Sequence, residues 1–178
     1  CEVLPVLLRF NEDADPAGFD DVDGIVVGGG HTPAYLEGLL PSAAAIRRAV
    51  SDGVPYLGFS AGAMVAPARA IVGGYRIGGA EICPAEWSEG LEELEIRDGL
   101  GLVPFAVDVH AAQAGTLSRA VSAVAKGLVD RAAAVDENTA LVLHHTDLGS
   151  LEVIGAGNCW TIRGAGAKAT VSVLSAHG

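Results

Sequence analysis

The sequence predicts an α/β domain: an open, mostly parallel sheet with helices on both faces and a late antiparallel edge hairpin. Three observations carry this prediction. Short runs that are apolar on both faces, such as Gly24-Ile25-Val26-Val27 and Pro55-Tyr56-Leu57-Gly58-Phe59, read as strands of a parallel sheet covered by helices. Those runs alternate with stretches at helical spacing, the arrangement of strand-helix-strand units. Late in the chain, Val153-Ile154 and the run 159–162, joined by Gly155-Ala156-Gly157-Asn158, read as a hairpin.

Taken in order, residues 3–10 read as a first strand, apolar and closed by the polar turn Asn11-Glu12-Asp13-Ala14-Asp15-Pro16. Residues 24–27 form a second strand that runs into Gly28-Gly29-Gly30-His31-Thr32-Pro33. Short helices follow over 33–40 and 42–51. Residues 55–59 are a third strand, met at once by Ser60 and a helix over 61–70. Two glycine pairs bracket Tyr75-Arg76-Ile77 and mark a hairpin or irregular turn. An acidic helical stretch is expected within 86–99, a strand over 103–109, and a helix over 116–128. That last helix carries Leu117, Ala120, Val121, Val124 and Leu128 at helical spacing. Strands at 132–135 and 140–143 flank Asp136-Glu137-Asn138-Thr139. Residues 1–178 are read as one domain. A domain of this kind usually has a strand and a crossover helix before the equivalent of residues 3–10, and the chain opens on a residue other than methionine, so the expectation is that an N-terminal strand and helix are missing.

Composition excludes several classes. Half of the residues are hydrophobic, which excludes disorder as a general description. No apolar run approaches the ~18 residues of a membrane span, and the first ten residues lack the features of a signal peptide. The net charge of -11, with no visible basic patch, argues against nucleic acid as a partner. The acidity is strongest over 12–23 and 86–98. It reads as solvated surface, or as a field that attracts a cationic ligand. Cys1, Cys83 and Cys159 show neither a disulfide framework nor metal-ligand spacing, so a reducing cytoplasm is expected. A homodimer is left open.

The chemistry centres on Gly58-Phe59-Ser60-Ala61-Gly62-Ala63. Gly-x-Ser-x-Gly between a strand and a helix suits a tight turn that lifts the serine hydroxyl above the carboxyl ends of the strands. The bland alternative is a helix N-cap serine. As a nucleophile, Ser60 would use the N–H of Ala61 as one oxyanion donor and that of Gly29 or Gly30 as a second. The glycine run fits neither a dinucleotide fingerprint nor a phosphate loop. A serine also needs a base. His110 follows a strand and so stands at the same rim; His31 is second choice and reads better as a pocket wall. His144 and His145 also follow a strand, and His177 lies in the tail. No histidine pair has the spacing of a metal-ligand motif, and no cofactor is called for. For the acid that orients the base, Glu137, Glu81 and Asp108 compete. Asp108 alternates with His110 and could line the pocket beside it.

With these residues laid out, the chain resembles the cyanophycinase and aspartyl-dipeptidase family of serine peptidases, whose fold is like that of class I glutamine amidotransferases, a flavodoxin-like sheet. The matches run in order: Ile25-Val26-Val27-Gly28-Gly29-Gly30-His31-Thr32, Gly58-Phe59-Ser60-Ala61-Gly62-Ala63, Asp108-Val109-His110, and Asp136-Glu137-Asn138-Thr139-Ala140. The resemblance implies Ser60 as nucleophile, His110 as base and Glu137 as acid, and promotes Glu137 over its rivals. Substrate contacts are expected around His31, Asp108, Gln113 and Arg119. In that family arginines follow the histidine; here Ala114 and Thr116 stand at two such positions and only Arg119 remains. Each lost guanidinium removes charge-assisted contacts. The expectation is therefore a hydrolase of small peptides, acidic or neutral, rather than an enzyme that degrades cyanophycin.

Overall fold

A computed structural model gives the fold and describes residues 2–144, 151–166 and 168–176. Cys1, His145 and His177 lie outside the described residues. The elements, in chain order, are β1 (Ile25–Val27), α1 (Thr32–Leu39), α2 (Ala43–Ser51), β2 (Tyr56–Gly58), α3 (Ala61–Val65) and β3 (Arg69–Gly73). There follow β4 (Arg76–Ile77), β5 (Ala80–Glu81), β6 (Glu95–Asp98), β7 (Ala106–Val109), α4 (Leu117–Ala125) and β8 (Arg131–Val135). The chain closes with β9 (Thr139–Leu143), β10 (Leu151–Gly155), β11 (Asn158–Ala165) and β12 (Lys168–Ser175). Among the described residues no helix is long and apolar enough to cross a membrane.

The mixed α/β class is as expected, but the pairing is not that of one open, mostly parallel sheet. Among the described strands, parallel pairing is confined to β1 with β2 and β7 with β8. β7, β8, β11 and β12 form a four-stranded sheet in which β11 runs antiparallel to both its neighbours. The expected hairpin between β10 and β11 does not form. β10 pairs with β9, and β11 pairs with β8 and β12. Gly155 ends β10 at φ 124, and a methyl there would lie 2.2 Å from the Asn138 carbonyl oxygen, so the chain leaves β10 pressed against the turn between β8 and β9.

Other expectations also shift. Residues 3–10 form no strand, and Val3, Leu4, Leu7 and Phe10 are exposed. An apolar composition suits a strand, but only a neighbour completes its hydrogen bonds. The acidic stretch 86–99 is not a helix. It holds the 3-10 turn Ala85–Trp87 and strand β6, because β6 finds β3 as an antiparallel partner. The helix after Ser60 ends at Val65, well short of residue 70, and the chain re-enters a strand at Arg69.

Two hydrophobic clusters form the core. One joins β7, β8, α4 and Ile162; the other joins β1, α1 and α2. α3 belongs to both, with Met64 buried in the first and Val65 in the second. Its first turn is thereby fixed at the seam where β2 and β7 end.

Candidate active site

The elbow at Ser60 follows from close approach. Phe59 donates its N–H to the Val27 carbonyl (2.9 Å) and Gly62 to the Gly28 carbonyl (3.1 Å), which presses α3 onto the end of β1. A methyl on Gly62 would lie 2.2 Å from the Val27 oxygen, and one on Gly58 would lie 2.6 Å from the Gly62 oxygen. Only glycine fits at both positions. The chain must turn within this space, and Ser60 takes up the turn with φ 52 and ψ -113. That conformation is costly for a residue with a side chain and is found where surrounding structure enforces it. Half-buried Tyr56, whose hydroxyl donates to the Gly62 carbonyl (2.7 Å), braces the helix from below. Burial holds the Tyr56 phenol well above its ordinary pKa.

The Ser60 hydroxyl meets His110 Nε2 at 3.1 Å, and His110 Nδ1 meets Glu137 Oε1 at 3.1 Å. His110 leaves the end of β7 with φ 58, and Glu137 lies in the turn between β8 and β9. The parallel pairing of β7 with β8 brings their carboxyl ends together and so sets the second contact. Of the three acids weighed, only Glu137 reaches His110. Glu81 pairs with Arg76 at 3.2 Å on the β4–β5 hairpin, and Asp108 is taken by Arg119. The Trp87 ring lies 5.0 Å from the His110 ring.

The backbone N–H groups of Ala61, Gly29 and Gly30 make no hydrogen bond among the described residues. A methyl on Gly29 would lie 3.0 Å from the Ser60 Cβ, so the glycine loop stands directly against the elbow.

The residues expected around a substrate divide. Gln113 is beside the site, its side-chain oxygen accepting from the Glu137 N–H at 2.9 Å. His31 caps α1: Nδ1 accepts from the Ala34 N–H (3.3 Å), so Nε2 carries the proton given to the Glu89 carbonyl (3.0 Å). Asp108 and Arg119 do not line a pocket. Both are buried and joined by two bonds, Arg119 Nε to Oδ2 (2.8 Å) and Nη2 to Oδ1 (2.7 Å). Arg119 Nη1 also donates to the Trp87 carbonyl at 2.6 Å. Burial lowers the Arg119 pKa, but the charge and hydrogen bonds of Asp108 outweigh it and hold it above its ordinary value. Strand alternation failed for Asp108 because His110, at positive φ, has already left the strand. Ala114 and Thr116 are buried as well.

Sequence reasoning missed Asp136. Its buried carboxylate accepts from the N–H groups of Ala112 (3.0 Å) and Asn158 (2.9 Å), the Asn158 amide (3.2 Å) and the Trp160 indole (3.3 Å). It thus ties the segment after His110 to the turn that holds Glu137. An acidic residue ahead of a turn was the available signal. Among the described residues, no group of three or more His, Cys, Asp or Glu is arranged to hold a metal ion. A cavity of about 420 Å³ lies at the other end of β8, lined by Asp130, Arg131 and Arg163, and shares no residue with the Ser60 site.

Among solved structures, the chain is similar to the crystal structure of a peptidase from an acI-B1 Actinobacterium, at 22% identity with a TM-score of 0.61. The alignment covers 92% of this chain but 61% of that one, so this chain spans about three fifths of its length. A putative Peptidase E protein from Listeria monocytogenes EGD-e also matches, at 19% identity, with a TM-score of 0.41 and coverage of 90% and 64%. A comparison with curated proteins finds no match. The first of these likenesses supports the fold. The family model of Peptidase family S51 matches residues 11–151, most of the sequence that carries the elbow, His110 and Glu137, and on that match the chain belongs to peptidase family S51.

Proposed function

We propose that this chain is a serine peptidase that cleaves the amide bond of a small peptide or isopeptide through an acyl-enzyme, in the manner of aspartyl dipeptidases. The observation that carries the reading is the continuous contact from Ser60 through His110 to Glu137, beside unpartnered N–H groups. In this reading His110 takes the Ser60 proton as the hydroxyl oxygen attacks the carbonyl carbon. The negative oxygen is held by the N–H of Ala61 and of a Gly28–Gly30 residue, each donor contributing about 3 kcal/mol. Glu137 holds the His110 tautomer with Nδ1 protonated, and His110 then passes its proton to the departing amine. Water reverses the sequence and frees the acid. The two parallel pairs, both ending at this rim, fit an amidotransferase-like sheet in which Ser60 stands at the carboxyl ends of the strands.

The substrate is neutral or weakly acidic in this reading. Arg119, the one arginine left in the segment after His110, is committed to Asp108 and to the Trp87 carbonyl. A bulky polyacidic chain would meet no counter-charge from it. The test is a fluorophosphonate probe on wild type and Ser60→Ala, followed by a panel of Asp-x, β-aspartyl and neutral dipeptides and aryl esters. Labelling lost in Ser60→Ala, with dipeptide turnover, is the expected result. A folded wild type that takes no label would point to a ligand-binding domain on the same scaffold, and turnover of esters alone to an esterase.

A further inference from the structure

Tyr35 lies on the first turn of α1, and its hydroxyl donates to the Gly29 carbonyl at 2.8 Å. Its ring packs on the next residue: a methyl on Gly30 would lie 2.5 Å from the Tyr35 ring. On the other side of the loop, a methyl on Gly29 would meet Ser60 Cβ at 3.0 Å and the Phe59 ring at 3.2 Å. The Gly29–Gly30 peptide is thus held between the Tyr35 ring and the serine elbow. Glycine imposes almost no preference of its own on the orientation of such a peptide. Whatever fixes it must come from outside the loop.

We infer that Tyr35 is a positioning residue that locks the Gly29–Gly30 peptide in the orientation an oxyanion hole needs. This rests on the reading of Ser60 as a nucleophile. In a planar trans peptide the C=O and the following N–H point in opposite directions. Drawing the Gly29 oxygen to Tyr35 therefore turns the Gly30 N–H away from Tyr35, toward the Ser60 side of the loop. Rotated by half a turn, the same peptide would set a carbonyl oxygen against the developing negative charge and remove one donor. The tyrosine hydroxyl meets no substrate and transfers no proton. It acts on the reaction only through the direction of one N–H.

The test uses Tyr35→Phe, which keeps the ring and removes the bond, in four measurements: melting temperature, dipeptide kinetics, affinity for a peptide aldehyde, and ¹⁵N relaxation of the Gly30 amide. The expected result is an unchanged fold and KM, with kcat reduced about tenfold. That is less than the ~100-fold that follows outright loss of a donor. Aldehyde affinity should fall by the same factor, because its tetrahedral adduct carries the oxyanion, and the Gly30 amide should show a second conformer on the microsecond-to-millisecond scale. A variant with kcat and aldehyde affinity within twofold of wild type overturns the inference while leaving the nucleophile reading intact. A wild type that neither labels nor turns over defeats that reading instead. The Gly30 amide then decides alone: a second conformer in the variant supports the lock, and a single rigid state in both proteins overturns it.

Discussion

The guanidinium of Arg119 lies flat against the buried carboxylate of Asp108, two nitrogens on two oxygens at 2.8 and 2.7 Å. The remaining nitrogen of Arg119 holds the Trp87 carbonyl, and the Trp87 ring stands beside His110. A pair expected to grip substrate is thus part of the wall behind the site.

The first prediction concerns that pair. Removing one partner leaves a buried charge uncompensated, so Asp108→Leu and Arg119→Met should each cost about 3–5 kcal/mol in urea unfolding. The double variant should cost much less than the sum, because neither charge then remains. Additive losses would show that the two side chains do not act as a pair.

A second prediction concerns the elbow. Gly62→Ala places a methyl 2.2 Å from the Val27 oxygen, a clash that only backbone movement relieves. It should destabilise the fold by about 1–3 kcal/mol and separate α3 from β1. Gly18→Ala, where nothing lies within 4 Å, is the control and should unfold at the wild-type urea midpoint. Equal midpoints for all three proteins would disprove the close fit.

The third is a pH dependence. The Cys159 thiol, fully buried, is pushed up to about 12, first by burial and then by the charge of Asp136. In the unfolded chain it ionises near 9. Between those values the folded state keeps a proton that the unfolded state loses, so the stability it contributes is complete below about pH 9 and is lost as pH rises toward 12. Wild type should lose stability faster than Cys159→Ala above pH 9, by up to about 1.4 kcal/mol per pH unit. Parallel urea midpoints for the two proteins between pH 8 and 10.5 would count against it.

What could be read from the sequence is what local rules decide. The glycines flanking Ser60 are required by a turn a few residues long, and α2 and α4 bury stripes that recur at helical spacing. What could not be read depends on partners distant in sequence. Residues 3–10 have the composition of a strand and no strand beside them. β12 was missed although Ala169, Val171 and Val173 alternate along it; β11 alone holds it, and most of its side chains are exposed. Asp108 was assigned to the pocket by strand alternation, which the positive φ of His110 interrupts. Glu137, Glu81 and Asp108 were equivalent by position alone. The family resemblance favoured Glu137, and the physical reason is that Arg76 and Arg119 occupy the other two.

The contact between Trp87 and His110 has an optical consequence. An indole's emission depends on the groups packed against it, and the Trp87 ring lies against the His110 ring. The chain has one other tryptophan, Trp160, and its indole N–H is bonded to Asp136, next to Glu137. Intrinsic fluorescence ordinarily averages over a whole molecule. In this protein both chromophores stand within one residue of the Ser60–His110–Glu137 chain, and a simple emission spectrum becomes a local gauge of it.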